Sequence, residues 1–431
     1  MGQLSVYKKN IDIKDHQIDL DNCLRGFYSN SFFHIYIDGN FNIDISQIAE
    51  QKDKGTALHE YVHYLQNIGT LWGLYCSINN YETIIEFKKA VLSATDIQRP
   101  FRFPLTDKIK RENTYIKQGN GTTGYFSWNI DKGQPIVIKL KPVIVNGKKQ
   151  EQVEVTFALV DGTNQTVILG AHIIKESMAA LYQSLLDPDA AHNDVPYNLV
   201  KLLAEQHFPN VAKDTKKMIC CCYTSLFSMT PGRSLIDLLA EAEGAPSCNG
   251  FALFDKYVHT KEVTTGKDEK KLMSLFFNDM LEGFKTMLGH NLVAPIDYIG
   301  IALDRVRLDG KYYPFLSVLY DNGDFSDRVF SDLIGYYGIP YIQTSRYGIH
   351  FPRGEKEGGE EGSMDVLELI AQEALYRNFV DPNNISFCPL YYMCQGSSYE
   401  KDDCFGNPWE GTMCTYTIVS DYLGLKTKNI I

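Results

Sequence analysis

The central stretch of this chain is Gly55-Thr-Ala-Leu-His-Glu-Tyr-Val-His-Tyr-Leu-Gln66, which contains the pattern HExxH at His59-Glu60-Tyr61-Val62-His63. On a helix, two histidines four residues apart project from one face and can bind the same metal ion. The spacing suits tetrahedral zinc, which takes neutral imidazole nitrogens and, in catalytic sites, keeps one position open for water. Glu60 stands beside the two rings as the candidate base that accepts a proton from that water.

The residues around the motif predict a buried helix. Thr56 is a suitable N-cap, and Asn67 and Gly69 provide a stop after the second histidine. Between them lie uncharged residues and an apolar surface that would bury the helix, formed by Ala57, Leu58, Tyr61, Val62, Tyr64 and Leu65. The stretch is therefore predicted to be a core helix that carries two metal ligands.

These residues resemble the extended motif of the zincin metallopeptidase superfamily. That motif has Thr or Val three residues before the first His, uncharged residues around the pair and an apolar residue two after the second His, and Thr56 and Leu65 fit it. The resemblance implies a zinc-dependent peptidase in which a sheet covers the metal-binding helix. Gln66 and Gly69 occupy positions where the branch with a third His ligand needs Gly and His, so the resemblance is to the Glu-ligand, gluzincin-like branch.

The third metal ligand has several candidates. Helical spacing places Glu176 and Ala179 on one face, where a small residue lets another helix approach closely. The Glu-ligand branch carries its third ligand on a later helix, often with a small residue one turn on, so the resemblance points first to Glu176. Glu82 is the rival, because eighteen residues separate it from His63, as in the aminopeptidase branch. Other carboxylates that remain open are those of Glu241, Glu243 and Glu373.

A zincin also needs a hydrogen-bond donor for the oxyanion, usually Tyr, His or Arg. Tyr182 and His172 are candidates because both lie near Glu176 in the sequence. With 27 tyrosines in the chain, the sequence does not select one donor. It contains no phosphate-binding loop, dinucleotide fingerprint or Ser nucleophile elbow that would indicate another chemistry.

The expected fold class is α+β, with a zincin-like catalytic core of an antiparallel sheet and the HExxH helix, a β-rich insertion and a helical lobe. We expect four segments: the N-terminal sheet and HExxH helix at 1–97, the β-rich insertion at 98–170, the helical lobe at 171–300, and a mixed α/β, Tyr-rich C-terminal region at 301–431. The probable third ligand lies in the helical lobe.

Alternating apolar residues predict two hairpins in the β-rich parts. In the first, a strand at 32–38 is followed by Gly39-Asn40 and a second strand at 41–45. In the second, Asn146-Gly147 joins strands at 135–145 and 151–157. Between about 194 and 290, apolar residues recur every three or four positions, which predicts the helices of the lobe.

Composition and charge indicate a folded, soluble chain. The 431 residues are 44% hydrophobic, which is enough to bury a substantial core. The net charge of −11 argues against a nucleic-acid backbone or an anionic membrane as the main partner, because either would repel the protein. The expected partner is a peptide or protein substrate, and the oligomeric state stays open.

Several features favour the cytoplasm. Residues 1–9 lack the hydrophobic core of a signal peptide, and no apolar run reaches the roughly 18 residues that span a bilayer. Three consecutive cysteines at 220–222 lie in an apolar helical stretch and are expected to be buried thiols. The last four cysteines match no zinc-knuckle or ribbon spacing and are expected to be free thiols as well: Cys388, Cys394, Cys404 and Cys414.

The sequence therefore predicts a zinc-dependent metallopeptidase. His59, His63 and Glu176 are the expected ligands of Zn²⁺, and Glu60 is the expected general base that activates water against a peptide bond. The alternative is a catalytically inactive binding or scaffold protein with a zincin fold. The intact Glu60 argues against this alternative, since a purely structural zinc site needs no base.

Overall fold

A computed structural model describes residues 26–29, 34–37, 51–124, 126–264, 269–308, 314–321, 325–344, 349–350, 364–381 and 414–430. They form a mixed, mostly helical fold with small sheets, compatible with the α+β class. Its helices are α1 (Gln51–Gly69), α2 (Leu71–Ser93), α3 (Asp107–Asn120), α4 (Ala171–Leu186), α5 (Leu199–His207), α6 (Pro209–Ala212), α7 (Thr215–Ser225), α8 (Pro231–Gly244), α9 (Gly250–Thr260), α10 (Met273–Asn291), α11 (Tyr298–Arg305), α12 (Pro314–Asp321), α13 (Asp327–Tyr337), α14 (Met364–Val380) and α15 (Thr415–Tyr422).

The strands form four separate sheets. They are β1 (Gly26–Ser29), β2 (His34–Ile37), β3 (Asp96–Ile97), β4 (Val137–Val145), β5 (Lys148–Ala158), β6 (Asn164–Leu169), β7 (Glu262–Thr264), β8 (Lys270–Leu272), β9 (Tyr341–Thr344), β10 (Ile349–His350) and β11 (Asn429–Ile430). The largest sheet has the order β1-β2-β9-β10, and a three-stranded sheet has the order β4-β5-β6. Two pairs, β3 with β11 and β7 with β8, complete the set among the described residues.

The four-stranded sheet packs against α1 through β1 and β2. Its outer pairs are antiparallel, but β2 and β9 run parallel, so the expectation of a purely antiparallel sheet is wrong at the central pair. The physical reason is the connection: between β2 and β9 the described residues include the helices α1 to α13, and the chain returns to β9 in the direction of β2, which a hairpin cannot do. The predicted strand at 41–45 lies outside the described residues, and β1 is the observed antiparallel partner of β2.

The hairpin predicted around Asn146-Gly147 is confirmed. Val145 pairs with Lys148, which leaves a two-residue loop whose φ angles are 47° at Asn146 and 78° at Gly147. Two positive φ values are the requirement of a type I′ turn, which Asn-Gly satisfies at low cost. The same segment also contains α3, which the sequence did not predict, because Ile109 is its one buried residue and no apolar periodicity marks it.

The periodicity between 194 and 290 predicts five helices, at 197–206, 216–229, 233–243, 251–259 and 269–288, and the structure confirms a helix in each range: α5, α7, α8, α9 and α10. The second of these ends at Ser225, and the last begins at Met273, after the short strand β8. The four-residue helix α6 is not among the predicted ones. Cys220, Cys221 and Cys222 are buried free thiols in α7, and Cys414 is also free. The other three C-terminal cysteines, Cys388, Cys394 and Cys404, lie outside the described residues.

Helix α1 lies at the centre of a continuous hydrophobic core that extends from Ile35 to Leu425. Every residue from 57 to 68 is buried, so the helix contacts protein on all sides. Tyr61 donates a hydrogen bond to the carbonyl of Gly338 at 2.8 Å, which fixes one side of α1 to the end of α13. Thr56 is inside the helix and is not its N-cap, because α1 begins at Gln51. In the described part of the chain, no helix combines the length and apolarity needed to cross a bilayer.

The end of α1 is joined closely to the start of α2. The Thr70 hydroxyl donates to the carbonyl of Gln66 at 2.6 Å and accepts from the backbone N–H of Gly73 at 3.0 Å. A Cβ atom on Gly73 would lie 2.3 Å from the Gln66 oxygen and 2.5 Å from the Asn67 Cα. Only glycine therefore fits at residue 73 without a backbone shift.

We expect Gly73→Ala to lower the free energy of unfolding by about 1 to 3 kcal/mol, the usual cost of overpacking. Gly283→Ala is the matched control, because Gly283 is exposed on α10 and a Cβ there would meet no atom within 4 Å. In a helix interior that change should stabilise by up to about 1 kcal/mol. Urea unfolding monitored by circular dichroism measures both, and equal effects of the two variants would contradict the close helix junction.

Candidate metal centre

Helices α1 and α4 pack against each other and bring three ligand-type side chains together. Glu176 Oε2 lies 3.5 Å from His59 Nε2 and 3.4 Å from His63 Nε2. One ligand atom from each of the three residues lies within 4.8 Å of the other two, and all three residues are buried. The two histidines share a face of α1 because they are one helical turn apart, and Glu176 comes from the facing side of α4.

The spacing of these atoms fits a tetrahedral zinc ion. Ligand atoms about 2.1 Å from the centre of a tetrahedron lie about 3.4 Å from one another. The separations from Glu176 Oε2 to His59 Nε2 and His63 Nε2, 3.5 and 3.4 Å, match that edge length. Two imidazoles and one carboxylate are also a common zinc donor set in which a fourth position stays open. The residues therefore fit the metal that the motif implies.

The His63 ring is held by its other nitrogen. His63 Nδ1 lies 2.9 Å from Gln66 Oε1, and Gln66 Nε2 donates to the carbonyl of Lys175 at 3.0 Å. A side-chain amide oxygen can only accept, so His63 Nδ1 carries a proton in this contact and Nε2 is the nitrogen that faces Glu176. Gln66 thus orients a candidate ligand on α1 and ties it to α4, one residue before Glu176. Such supporting contacts tune metal affinity in many proteins.

His59 has a different environment. Its Nδ1 is buried and finds no hydrogen-bond partner among the described residues. Two aromatic rings from the segment after α4 lie beside it, with centroid distances of 5.9 Å to His192 and 5.8 Å to Tyr197. His192 contacts Gln183 Oε1 on α4 through Nε2 at 2.9 Å. The segment that follows α4 therefore forms a wall of the candidate metal centre.

Burial and mutual charge shift the pKa values of the three candidate ligands. Burial lowers the pKa of His59, and its hydrogen bond to Glu176 offsets this only in part. Burial alone would lower the pKa of His63 and raise that of Glu176, but the attraction between the two side chains reverses both directions. Without a metal ion, His63 and Glu176 form a buried ion pair. A cation that binds there must displace the proton of that pair.

Glu60 is buried beside the three candidate ligands and is not one of them. Burial raises its pKa to about 8, with the charge of Glu176 adding to the effect and that of His63 opposing it. The side chain thus has a much greater affinity for a proton than an exposed carboxylate has. Without a metal ion Glu60 is therefore mostly protonated at neutral pH, and a cation held by the three neighbouring side chains would favour its ionised, proton-accepting form.

The other carboxylates that the sequence left open lie elsewhere. Glu82 forms an ion pair with Lys108 and does not join the two histidines. Glu241 pairs with Lys256 at 2.7 Å. The two remaining candidates are also engaged away from the histidines: Glu243 accepts hydrogen bonds from Asn210, and Glu373 pairs with Arg377. Among the described residues, Glu176 is the carboxylate grouped with His59 and His63.

The two oxyanion candidates from the sequence have structural contacts instead. The Tyr182 hydroxyl is fully buried and donates to the carbonyl of Phe315 at 2.5 Å. His172 Nε2 lies 3.2 Å from the carbonyl of Gly124. The rings of His192 and Tyr197, which the sequence did not single out, lie beside the His59 ring. No local motif marks them, because a loop after a helix has no periodicity that would reveal what it contacts.

The chain matches no protein-family profile, no curated protein and no solved structure. The chemistry of the candidate metal centre is therefore inferred from its own residues.

We expect purified wild-type protein to take up one zinc ion per chain, and Glu176→Ala to lose most of it, because two imidazoles alone leave the ion with too few ligands. Glu82→Ala is the control and should keep its zinc, since Glu82 pairs with Lys108. Elemental analysis after zinc loading and desalting measures both. Loss of zinc in Glu82→Ala with retention in Glu176→Ala would show that the ligand assignment is wrong.

Replacing Gln66 tests whether its contact with His63 Nδ1 orients that ring for metal binding. Gln66→Leu removes the acceptor for His63 Nδ1 and should weaken zinc affinity about 10- to 100-fold, the usual effect of losing such a contact. Gln66→Glu keeps an acceptor at that position and should retain more of the affinity. Competition with a chromogenic chelator gives both dissociation constants. Unchanged affinity in Gln66→Leu would mean that the contact does not orient the ligand.

Proposed function

We propose that this protein is a zinc-dependent peptidase of the Glu-ligand zincin type, in which His59, His63 and Glu176 hold the metal. The observation that carries the proposal is the convergence of both HExxH histidines with one buried carboxylate from a distant helix. If the HExxH pattern were a chance occurrence, no third ligand-type side chain would be expected at metal-binding distance from its histidines. The Glu176 carboxylate lies at such a distance, 3.5 Å from His59 Nε2 and 3.4 Å from His63 Nε2.

The surroundings of α1 support a zincin-like core. The four-stranded sheet lies against α1, and α4 packs on the same helix with the third candidate ligand. In the described part of the sheet, β1 and β10 are the outer strands. An outer strand offers unpaired backbone groups to an extended peptide, and β1 is in contact with α1. A polypeptide substrate is the ligand that such an edge accepts best.

Zinc held by His59, His63 and Glu176 would lower the pKa of a coordinated water to roughly 7 and would polarise a carbonyl group. The role we assign to Glu60 is to take the proton of the attacking water on its carboxylate and to deliver it to the leaving amine. Its place directly after His59 keeps it beside the reacting atoms without making it a ligand. The buried surroundings exclude bulk water and strengthen these electrostatic effects.

The same residues argue for an enzyme over a scaffold protein. A structural zinc site is closed by four protein ligands, whereas the group found among the described residues has three. Burial of Glu60 also costs free energy, and a purely structural site would gain nothing from a buried carboxylate that is not a ligand. Both features are expected where one position must admit a water molecule and a base must act on it.

We expect zinc-loaded wild-type protein to cleave members of a mixed peptide library, detected by mass spectrometry, and Glu60→Gln to lose about 10²- to 10⁴-fold of that activity while keeping its zinc. Glutamine has the shape of glutamate but cannot take the proton. Retained cleavage in Glu60→Gln would show that Glu60 is not the base. Absence of any cleavage by zinc-loaded wild type across the library would favour the alternative of an inactive binding protein.

A further inference from the structure

The His59 ring has one buried polar atom whose role the three candidate ligands do not explain. Its Nε2 faces Glu176 Oε2 at 3.5 Å, whereas its Nδ1 is buried and has no hydrogen-bond partner among the described residues. A neutral imidazole that gives the lone pair of one nitrogen to a metal carries its proton on the other nitrogen. With a metal ion on Nε2, Nδ1 would be a buried donor, and buried donors nearly always have an acceptor.

The side chain of Gln183 lies close to this part of α1. Gly55 is one helical turn before His59 on the same face of α1, and a Cβ atom on Gly55 would lie 3.2 Å from Gln183 Cγ. Gln183 itself is buried and lies on α4, about two helical turns after Glu176. It therefore belongs to the same contact between α1 and α4 that brings the three candidate ligands together.

In this structure the amide oxygen of Gln183 serves a different ring. Gln183 Oε1 lies 2.9 Å from His192 Nε2, and because an amide oxygen can only accept, His192 is the donor. The His192 ring centroid is 5.9 Å from that of His59. Burial lowers the pKa of His59, and Glu176 and the Gln183 amide both oppose that effect, so the amide is close enough to act on this ring as well. One acceptor thus lies beside two imidazole rings.

The two rings differ in what water can do for them. His59 Nδ1 is inaccessible to solvent, so a proton on that nitrogen can be satisfied only by the protein. His192 is half-buried, and a water molecule can replace the Gln183 oxygen as its acceptor at little cost. If both rings carry a proton toward the amide, the hydrogen bond to His59 is therefore the one that folding cannot replace with water.

The other candidate histidine shows the arrangement that such an acceptor produces. His63 Nδ1 lies 2.9 Å from Gln66 Oε1, and the Gln66 amide is bound in turn to the backbone of α4. Gln183 is a glutamine on α4 in the corresponding place for His59. Each histidine would then be oriented by a glutamine that also joins the two helices.

We propose that Gln183 is a positioning residue for His59, and that metal binding moves its amide oxygen from His192 to His59 Nδ1. A rotation of one side chain exchanges the two hydrogen bonds. The His192 ring is then held to α4 in the metal-free protein and is released from Gln183 when the metal is bound. The inference rests on the metal site of the proposed function and does not depend on the peptidase reaction.

Zinc affinity tests the exchange without a measurement of cleavage. Competition with a chromogenic chelator gives the zinc dissociation constant of each variant. Gln183→Leu should bind zinc about 10- to 100-fold more weakly, the usual effect of losing such a contact. Gln183→Glu keeps an acceptor at the same place and should have at least the wild-type affinity. His192→Phe keeps a ring beside Tyr197 but has no N–H for the amide, so it should bind zinc about two- to tenfold more tightly, the effect of one hydrogen bond.

The double variant Gln183→Leu/His192→Phe separates the exchange from a general loss of packing. It should bind zinc as weakly as Gln183→Leu alone, because without Gln183 there is no oxygen for His192 to release. Gln372→Leu is the matched control: Gln372 is a buried glutamine on α14 that donates to the carbonyl of Asn291 at 3.2 Å, and its loss should leave zinc affinity unchanged. Circular dichroism of the metal-free proteins shows whether each variant is folded.

Wild-type affinity in Gln183→Leu would overturn the exchange, and so would a gain in His192→Phe that persists without Gln183. A wild-type protein that takes up no zinc would overturn both this inference and the metal site of the proposed function. If the variants follow the expected pattern while wild type cleaves no peptide in the library, the exchange stands and the peptidase proposal fails.

Discussion

Burying a carboxylate beside two imidazoles costs free energy unless their charges compensate, and the contact between α1 and α4 depends on that compensation. Glu176 keeps its negative charge because His63 attracts it and both histidines contact the same carboxylate oxygen. If the two helices moved apart, each group would be left buried without its partner. A metal ion at the same place would replace the shared proton as the compensating charge, so metal binding there would be coupled to folding.

The packing around α1 shows how this contact is maintained. The opposite side of the helix is fixed by the Tyr61 hydroxyl on the Gly338 carbonyl and by ring contact with Phe330. The end of the helix is fixed by Thr70, which bonds to the Gln66 carbonyl. Gln66 then spans from His63 to the backbone of α4. His63 is therefore held by hydrogen bonds through Gln66 to α4, whereas His59 Nδ1 has no hydrogen-bond partner among the described residues.

Helix α4 carries the candidate ligand Glu176 and also contacts the segment that follows it in the chain. Glu176 faces the histidines, Ser177 holds the Pro196 carbonyl, and Gln183 contacts His192. The segment after α4 is thus tied by side-chain contacts to the helix that carries the third candidate ligand.

The sequence by itself determined the features that depend on local geometry. Two histidines four apart share a helix face whatever the rest of the chain does, and Asn146-Gly147 forms its turn because those residues accept positive φ. The apolar periodicity of α5 and of α7 to α10 likewise reports burial of one helix face. Only the tertiary structure decided which carboxylate meets the histidines, that β9 runs parallel to β2, and that His192 and Tyr197 border His59. These are contacts between distant segments, set by how helices and strands pack, and no short-range pattern in the sequence encodes them.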